Sequence, residues 1–448
     1  MKLGTLNNVF KRISCRIFSD NAIVLTFTLV FLFRCAYVLF VIDPHSGQDA
    51  PSFSEDAKIL VENGPFVPLI HAPWWPVGYS WFVSIWWGLF GVDSRALGLV
   101  QTTTLLIAQI LFYRFARIVF EDRAAKIFAY LMLFNFALLS SSGQIMYEVP
   151  MASFLVLGCY HLKDLLLYGR WRMSSAFFSG FFFALSILMH PSALAPSLVL
   201  TAIAAWRRID TRKIFLSLTI SISLTISGAL IQTARNAIAG DGLGFTSTAF
   251  SNASLGGWGG NDLDRALECS KIGKVMTGPR AGQIWDNPVR QACLYLVTSK
   301  SPKQVADVVL FNSKRYWSPL VGILKFNGTW YHGFDIRRFI DSWYVWWEGG
   351  FRKFDTLLSY LWLFFHLGLF AIGVSKFSGF LRGEFQRHMQ VKLFLLSPII
   401  ISYLVSLLTL GDTRHRMPVM MFYASFVALG ILHTTKKLTK SWLSSVSK

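Results

Sequence analysis

IVLTFTLVFLFRCAYVLFVI, residues 23–42, decides the class of this protein. Its twenty positions match the roughly 20 apolar residues that an α-helix needs to cross a bilayer. The run is too long for the core of a secretory signal and lacks a small-residue cleavage site, so it reads as a retained anchor. Its one charge, Arg34, is costly against lipid and is expected to face a polar interior. Further apolar runs occupy residues 95–113, 127–143, 148–168, 174–189, 193–206, 214–232, 356–375, 393–410 and 416–433. The whole chain agrees: 53% of residues are hydrophobic, 16% aromatic and only 15% charged, with a mean hydropathy of +0.46. A soluble domain carries about a quarter charged residues. The fold class expected is an all-α polytopic membrane protein with about 10 transmembrane helices.

One more run, Trp74 to Phe90, is ambiguous. Trp74, Trp75, Trp81, Trp86 and Trp87 crowd into it, and tryptophan favours the headgroup interface. Laid on the surface as a juxtamembrane helix after Pro76, it leaves ten spans. Basic residues test that choice. With a cytoplasmic N-terminus, the inner segments collect Lys2, Lys11, Arg12 and Arg16; Arg114, Arg117, Arg123 and Lys126; Arg207, Arg208, Arg212 and Lys213; and Lys436, Lys437 and Lys440. Outer segment 43–92 has Lys58 as its one lysine or arginine. Counting Trp74–Phe90 as a span would place the basic 114–126 loop outside, against the positive-inside rule. Both termini are therefore expected to be cytoplasmic.

The formal charge of +19 would suggest nucleic acid in a soluble protein. Here the lysines and arginines gather at helix ends, where headgroups and topology account for them. No zinc-finger spacing, basic helix or aromatic-basic stripe accompanies them, so no nucleic-acid partner is expected.

Two outer segments are large. Residues 43–94 are acidic and proline-rich; residues 233–355 are polar with glycine clusters, and 302–316 (PKQVADVVLFNSKRY) reads as an amphipathic helix. The organisation expected is an N-terminal membrane module at 1–232, an extracytoplasmic loop domain at 233–355, and C-terminal membrane helices with a tail at 356–448. Cys269 and Cys293 share the long loop, where an oxidising compartment would permit a disulfide. Cys15, Cys35 and Cys159 read as packing residues.

This topology sends acids and bases from five connections to one face. They are Asp49 and Asp56 with Glu55 in the first outer loop, Glu148 opening a span, His190 between spans, Arg235 and Asn236 after a span, and Arg414 and Arg416 before the last span. Solvation at span ends explains any one of them; their convergence points to a site for a charged, membrane-bound substrate. Asp49 and Asp56 are seven residues apart and share a face if helical. Asp49, just before Pro51, sits where a helix starts, so capping is its bland alternative; the functional one is a general base. Glu148 suits a helix N-terminus, and His190 precedes Pro191, as in a turn. Arginine is the preferred bidentate partner of phosphate, although arginines at this depth also snorkel.

Other patterns carry less. Asp262-Leu263-Asp264 has the form of a metal or nucleotide-sugar motif but reads better as a helix start. Leu255–Asn261 (LGGWGGN) lacks the lysine and hydroxyl of a phosphate loop. Asn252-Ala253-Ser254 and Asn327-Gly328-Thr329 are sequons with meaning only in a eukaryotic secretory pathway.

Together these residues resemble the GT-C superfamily of membrane glycosyltransferases, which use polyprenyl-phosphate sugars and include protein O-mannosyltransferases and aminoarabinose transferases. Asp49-x-x-x-Phe53-x-x-x-Ala57-x-x-Leu60-x-x-x-Gly64 is similar to the segment that holds the family's catalytic aspartate, with Phe53 in place of tyrosine. Pro73-Trp74-Trp75-Pro76-Val77-Gly78-Tyr79, followed by Leu89-Phe90-Gly91, resembles its juxtamembrane stretch, interrupted at Val77. Glu148-Val149-Pro150, Gln232-Thr233-Ala234-Arg235-Asn236 and Asp412-Thr413-Arg414-His415-Arg416-Met417-Pro418 follow in the family's order, with His415 in place of tyrosine and Gln232 in place of tryptophan.

The resemblance implies a transferase that moves a sugar from a polyprenyl-phosphate donor to an acceptor hydroxyl on a glycan, lipid or protein, with inversion. It implies Asp49 as base, with Arg235 and Arg414 or Arg416 near the donor phosphate. Glu148, His190 and Asn236 complete the candidate substrate contacts, and Asp56 is the second candidate acid. A singly charged phosphodiester leaves little for a metal to do, and neither metal nor cofactor is expected. The membrane expected is the bacterial inner membrane. The alternatives are a transporter or flippase of lipid-linked glycans, and an O-antigen ligase or polymerase. A transporter would line its path with mid-depth polar groups, whereas mid-span charge here is nearly limited to Arg34.

Overall fold

The computed structural model describes residues 18–46, 49–71, 76–135, 138, 141–206, 212–239, 301–316, 348–377, 385–408 and 417–446. Among them every regular element is helical. The first helices are α1 (Asp20–Phe40), α2 (Ala50–Asn63), α3 (Val77–Phe90), α4 (Ala96–Val119) and α5 (Asp122–Leu133). Then come α6 (Glu148–Tyr168), α7 (Met173–Met189), α8 (Leu194–Ala205), α9 (Arg212–Ala239) and α10 (Pro302–Tyr316). The last are α11 (Glu348–Lys376), α12 (Phe385–Leu408) and α13 (Met420–Val446).

Local chemistry sets several boundaries. Ser19 caps α1, its hydroxyl accepting the Ala22 amide at 3.1 Å, which satisfies one of the donors that a helix start leaves open. Pro51 lies in the first turn of α2, where its missing N–H costs nothing. Gly169 ends α6 with φ 63°, a left-handed conformation that glycine adopts without strain.

Among the described residues six helices are long and apolar enough to cross a membrane: Asp20–Phe40, Ala96–Val119, Glu148–Tyr168, Lys213–Ala239, His388–Leu407 and Met417–Ser441. Met173–Met189, Pro191–Ala205 and Leu363–Lys376 are shorter apolar helices. The chain is an integral membrane protein. α6 and α13 are mostly buried, whereas α1 and α9 expose Val24, Leu25, Leu29, Phe215, Leu230 and Ile238. Small residues let the helices approach closely, as is common where lipid supplies no hydrophobic drive. α7 and α9 meet with Gly180 against Ser221 and Gly228 against Ala184; α11 and α13 meet with Gly373 against Phe426 and Gly430 against Leu369.

Ion pairs gather at one end of the bundle. Lys126 bonds Asp20 at 2.9 Å and Asp122 at 2.7 Å, Arg117 reaches the same two acids, and Lys436 bonds Glu121 at 2.8 Å. The opposite end is tied by other contacts. Arg95 donates to the carbonyls of Val38 and Leu39 that close α1. The Ile145 amide donates to Pro44 at 2.9 Å, and Ser141 lies 4.0 Å from the Met417 sulfur.

The expected span at 127–143 is not one helix. α5 is twelve residues long, about 18 Å at 1.5 Å per residue, and it stops at Leu133. The cause is an interior polar cluster. Arg34 donates to the Leu133 carbonyl at 2.9 Å and to Gln109 Oε1 at 2.8 Å, while Gln109 donates to the Met132 carbonyl at 2.9 Å. These bonds satisfy carbonyls that a helix end leaves open, and irregular backbone at membrane depth is tolerated where protein covers it. Arg34 is fully buried, facing the interior as its cost in lipid requires. The amphipathic segment at 302–316 forms α10 over the expected residues, joined to α12 by Ser313 Oγ and Tyr403 Oη at 2.7 Å.

Candidate active site

Helix α2 presents both acids of the first outer loop. Asp49 stands at its N-cap position, and its side chain makes no capping bond. It is 6% exposed and Asp56 1%. The Asp56 carboxylate accepts the His71 amide at 3.1 Å, and the His71 ring lies 2.8 Å from Glu55. Segment 64–71 therefore folds back over α2 and is bound to it through two adjacent acids.

The same segment meets α9. Arg235, 1% exposed, donates to the Val67 carbonyl and, at 3.3 Å, to Asn236 Oδ1. Trp81 of α3 donates to Pro65 at 3.0 Å. Residues 65–71 thus lie between the acids of α2 and the arginine of α9.

Beside the acids is an aromatic and amide cluster. The Phe53 and Tyr79 rings meet edge-on with centroids 4.8 Å apart, and Tyr147 lies 6.1 Å from Phe53. Tyr79 donates to Gln101 Oε1 at 3.1 Å; Gln101 Nε2 donates to the carbonyls of Gln144 at 2.8 Å and Ser142 at 3.2 Å. This bracket holds the turn that delivers Tyr147 and Glu148 at the start of α6. Glu148 is 1% exposed. Burial, reinforced by the Glu148 charge, raises the Tyr79 phenol well above its usual pKa, so Tyr79 is a neutral donor here.

His190 lies where α7 ends. Its ring stacks on Tyr147, with centroids 4.4 Å apart and planes 13° apart. Its Nδ1 accepts the Ser192 amide at 3.3 Å, which favours the proton on Nε2. His190 therefore both organises a turn and joins the cluster.

The structure brings Asp49, Asp56, Glu148, His190, Arg235 and Asn236 to one end of the bundle, opposite the ion pairs around Lys126. Arg414, Arg416, Cys269, Cys293 and Asp262-Leu263-Asp264 lie outside the described residues. The partners that sequence reasoning missed are His71, Gln101 and Tyr147. Among the described residues no group of three His, Cys, Asp or Glu side chains is placed to hold a metal.

Residues 75–230 match the family model described as dolichyl-phosphate-mannose-protein mannosyltransferase. The matched stretch runs from the start of α3 into α9; it includes Glu148 and His190 and leaves Asp49, Asp56 and Arg235 on either side. No curated protein matches the chain in sequence. Solved membrane-enzyme structures align with the chain at low identity. The oligosaccharyltransferase of Archaeoglobus fulgidus, in its apo form, aligns at 16% identity and a TM-score of 0.49 over 96% of this chain and 52% of that one. The same organism's AglB with an inhibitory peptide and a dolichol-phosphate aligns at 14% and 0.48, over 95% and 52%. ArnT from Cupriavidus metallidurans bound to undecaprenyl phosphate aligns at 13% and 0.39, over 92% and 78%. The chain spans about half the length of the archaeal structures.

Proposed function

We propose that this chain is an integral-membrane glycosyltransferase that moves a sugar from a polyprenyl-phosphate donor to an acceptor hydroxyl at the extracytoplasmic face. The observation that carries this reading is the gathering, at one end of the bundle, of two buried carboxylates at and near the start of α2 and a buried arginine on α9, with segment 65–71 between them. Charges removed from water are costly unless they have work to do or firm partners. The family match over 75–230 supports the same reaction class.

In the proposed step the Asp49 carboxylate takes the acceptor hydroxyl's proton as the oxygen attacks the anomeric carbon. The bond from that carbon to the phosphate oxygen breaks, and polyprenyl phosphate leaves with the electron pair. In-line attack inverts the anomeric centre. Arg235, with Arg414 or Arg416, stabilises the charge growing on the leaving phosphate, an electrostatic contribution made by donors already in place. The ion-paired end around Lys126 is the cytoplasmic end in this reading, with both termini inside, segment 233–355 outside, and a bacterial cytoplasmic membrane as the host. The acceptor is a glycan, lipid or protein hydroxyl.

The test is to incubate the purified protein with a panel of radiolabelled polyprenyl-phosphate sugars and candidate acceptors. Release of polyprenyl phosphate with an inverted linkage is the expected result. Absence of release across the panel, from a correctly inserted protein, refutes the reaction class.

A further inference from the structure

Gln101, Gln109 and Gln232 are all buried, with at most 1% of each exposed. Two of them are fully employed. Gln101 accepts from Tyr79 and donates to two carbonyls, and Gln109 accepts from Arg34 and donates to Met132. Gln232 differs: among the described residues neither its Oε1 nor its Nε2 has a hydrogen-bond partner. A buried carboxamide with both ends unmet carries the desolvation penalty of two polar atoms, and such a group in a folded protein calls for an explanation.

Its position supplies one. Gln232 lies three residues before Arg235 and four before Asn236 on α9, so the three side chains share one helix face. One turn separates Gln232 from Arg235, about 5–6 Å between Cβ atoms, a spacing on the scale of a pyranose ring. We propose that Gln232 is a specificity-determining residue that binds the sugar of the lipid-linked donor, its carboxamide donating to one hydroxyl and accepting from another. This rests on the glycosyltransferase reading above. A phosphate offers only acceptors and would leave Oε1 unmet, whereas a hydroxylated ring offers donor and acceptor together. A site built around such bonds discriminates strongly against ligands that lack them.

A leucine at this position separates the roles, because it removes the unmet atoms and keeps apolar volume. If the carboxamide serves only a ligand, Gln232→Leu melts at or above the parent temperature. It then binds undecaprenyl phosphate as the parent does, while its KM for the undecaprenyl-phosphate sugar that the parent turns over rises roughly tenfold. Gln232→Met, similar in shape, guards against a packing defect peculiar to leucine. Three results overturn the proposal: a lower melting temperature in both variants, which means that the carboxamide is bonded within the resting protein; an unchanged KM; or equal weakening toward undecaprenyl phosphate and the sugar donor, which assigns Gln232 to the phosphate. If the parent turns over no lipid-linked sugar, the glycosyltransferase reading fails before any variant is made, and this inference falls with it.

Discussion

Asp56 and Arg235 hold opposite ends of one short segment: Asp56 accepts the His71 amide at 3.1 Å, and Arg235 donates to the Val67 carbonyl. An acid from α2 and a base from α9 are thus satisfied by backbone atoms four residues apart. Both side chains are buried, so their bonds to that segment replace water that burial has removed.

Arg235→Ala is expected to lower turnover of the lipid-linked sugar by ten- to hundredfold. Lost charge-assisted bonds cost about 1.5–3 kcal/mol. Arg235→Lys keeps the charge but not the planar fork, and is expected to fall between parent and alanine. Steady-state release of polyprenyl phosphate, with melting temperature as a folding check, measures both. Parent-like turnover in Arg235→Ala removes this arginine from the phosphate site.

Helix α3 contains a paired test of packing. A Cβ at Gly78 would run into the backbone of Leu188, whereas one at Gly88 would meet nothing within 4 Å. Gly78→Ala must therefore push α3 from the end of α7, and overpacking of this kind costs about 1–3 kcal/mol. Gly88→Ala is expected to stabilise by about 0.5–1 kcal/mol, since alanine loses less backbone freedom in a helix. Melting curves of the two variants in one detergent should shift in opposite directions.

Arg34→Met tests the interior cluster. It keeps an apolar stem but leaves Gln109 Oε1 and the Leu133 carbonyl without their donor, and each orphaned acceptor costs about 1–3 kcal/mol. The expected result is a clear loss of thermal stability. An unchanged melting temperature would show that the end of α5 is held by other means.

The basic end offers the topology test. Phe120, within the predicted cytoplasmic loop 114–126, is buried and would resist any reagent, while Arg123 is exposed. A cysteine at 123 is expected to escape an impermeant thiol reagent in intact cells and to react after permeabilisation. A cysteine at Lys58, half-exposed on α2, should react from outside. The reverse pattern inverts the proposed orientation.

The charged residues were legible because charge is scarce in this chain: Asp49, Asp56, Arg34 and Arg235 each stand out against apolar surroundings. The partners were not. Tyr147, Gln101 and His71 are ordinary polar or aromatic residues in sequence, and their contacts join distant segments. Gln101 reaches Gln144 across 43 positions, and Arg235 reaches Val67 across 168. The break after α5 was hidden for a related reason. Residues 127–143 carry no charge, and the groups that end the helix, Arg34 and Gln109, come from α1 and α4. Hydropathy locates spans; it does not report which carbonyls a neighbouring side chain takes.

Asp49 carries the sharpest prediction. It occupies the N-cap position of α2, where aspartate ordinarily accepts an amide of the first turn, yet its side chain makes no capping bond. If it is the general base, Asp49→Asn keeps size and polarity but cannot take a proton, and turnover should fall about 10²–10⁴-fold while donor binding survives. Asp56→Asn is the matched control, because an asparagine oxygen can still accept the His71 amide and only the charge is lost. Activity retained in Asp56→Asn and lost in Asp49→Asn assigns the base to Asp49. The opposite pattern moves the base one face-sharing step along α2, to Asp56. A drop in melting temperature for Asp49→Ala that Asp49→Asn spares, with turnover intact in both, would return Asp49 to a helix-start role. Full activity in both asparagine variants removes the base from α2, and Glu148 becomes the acid to test next.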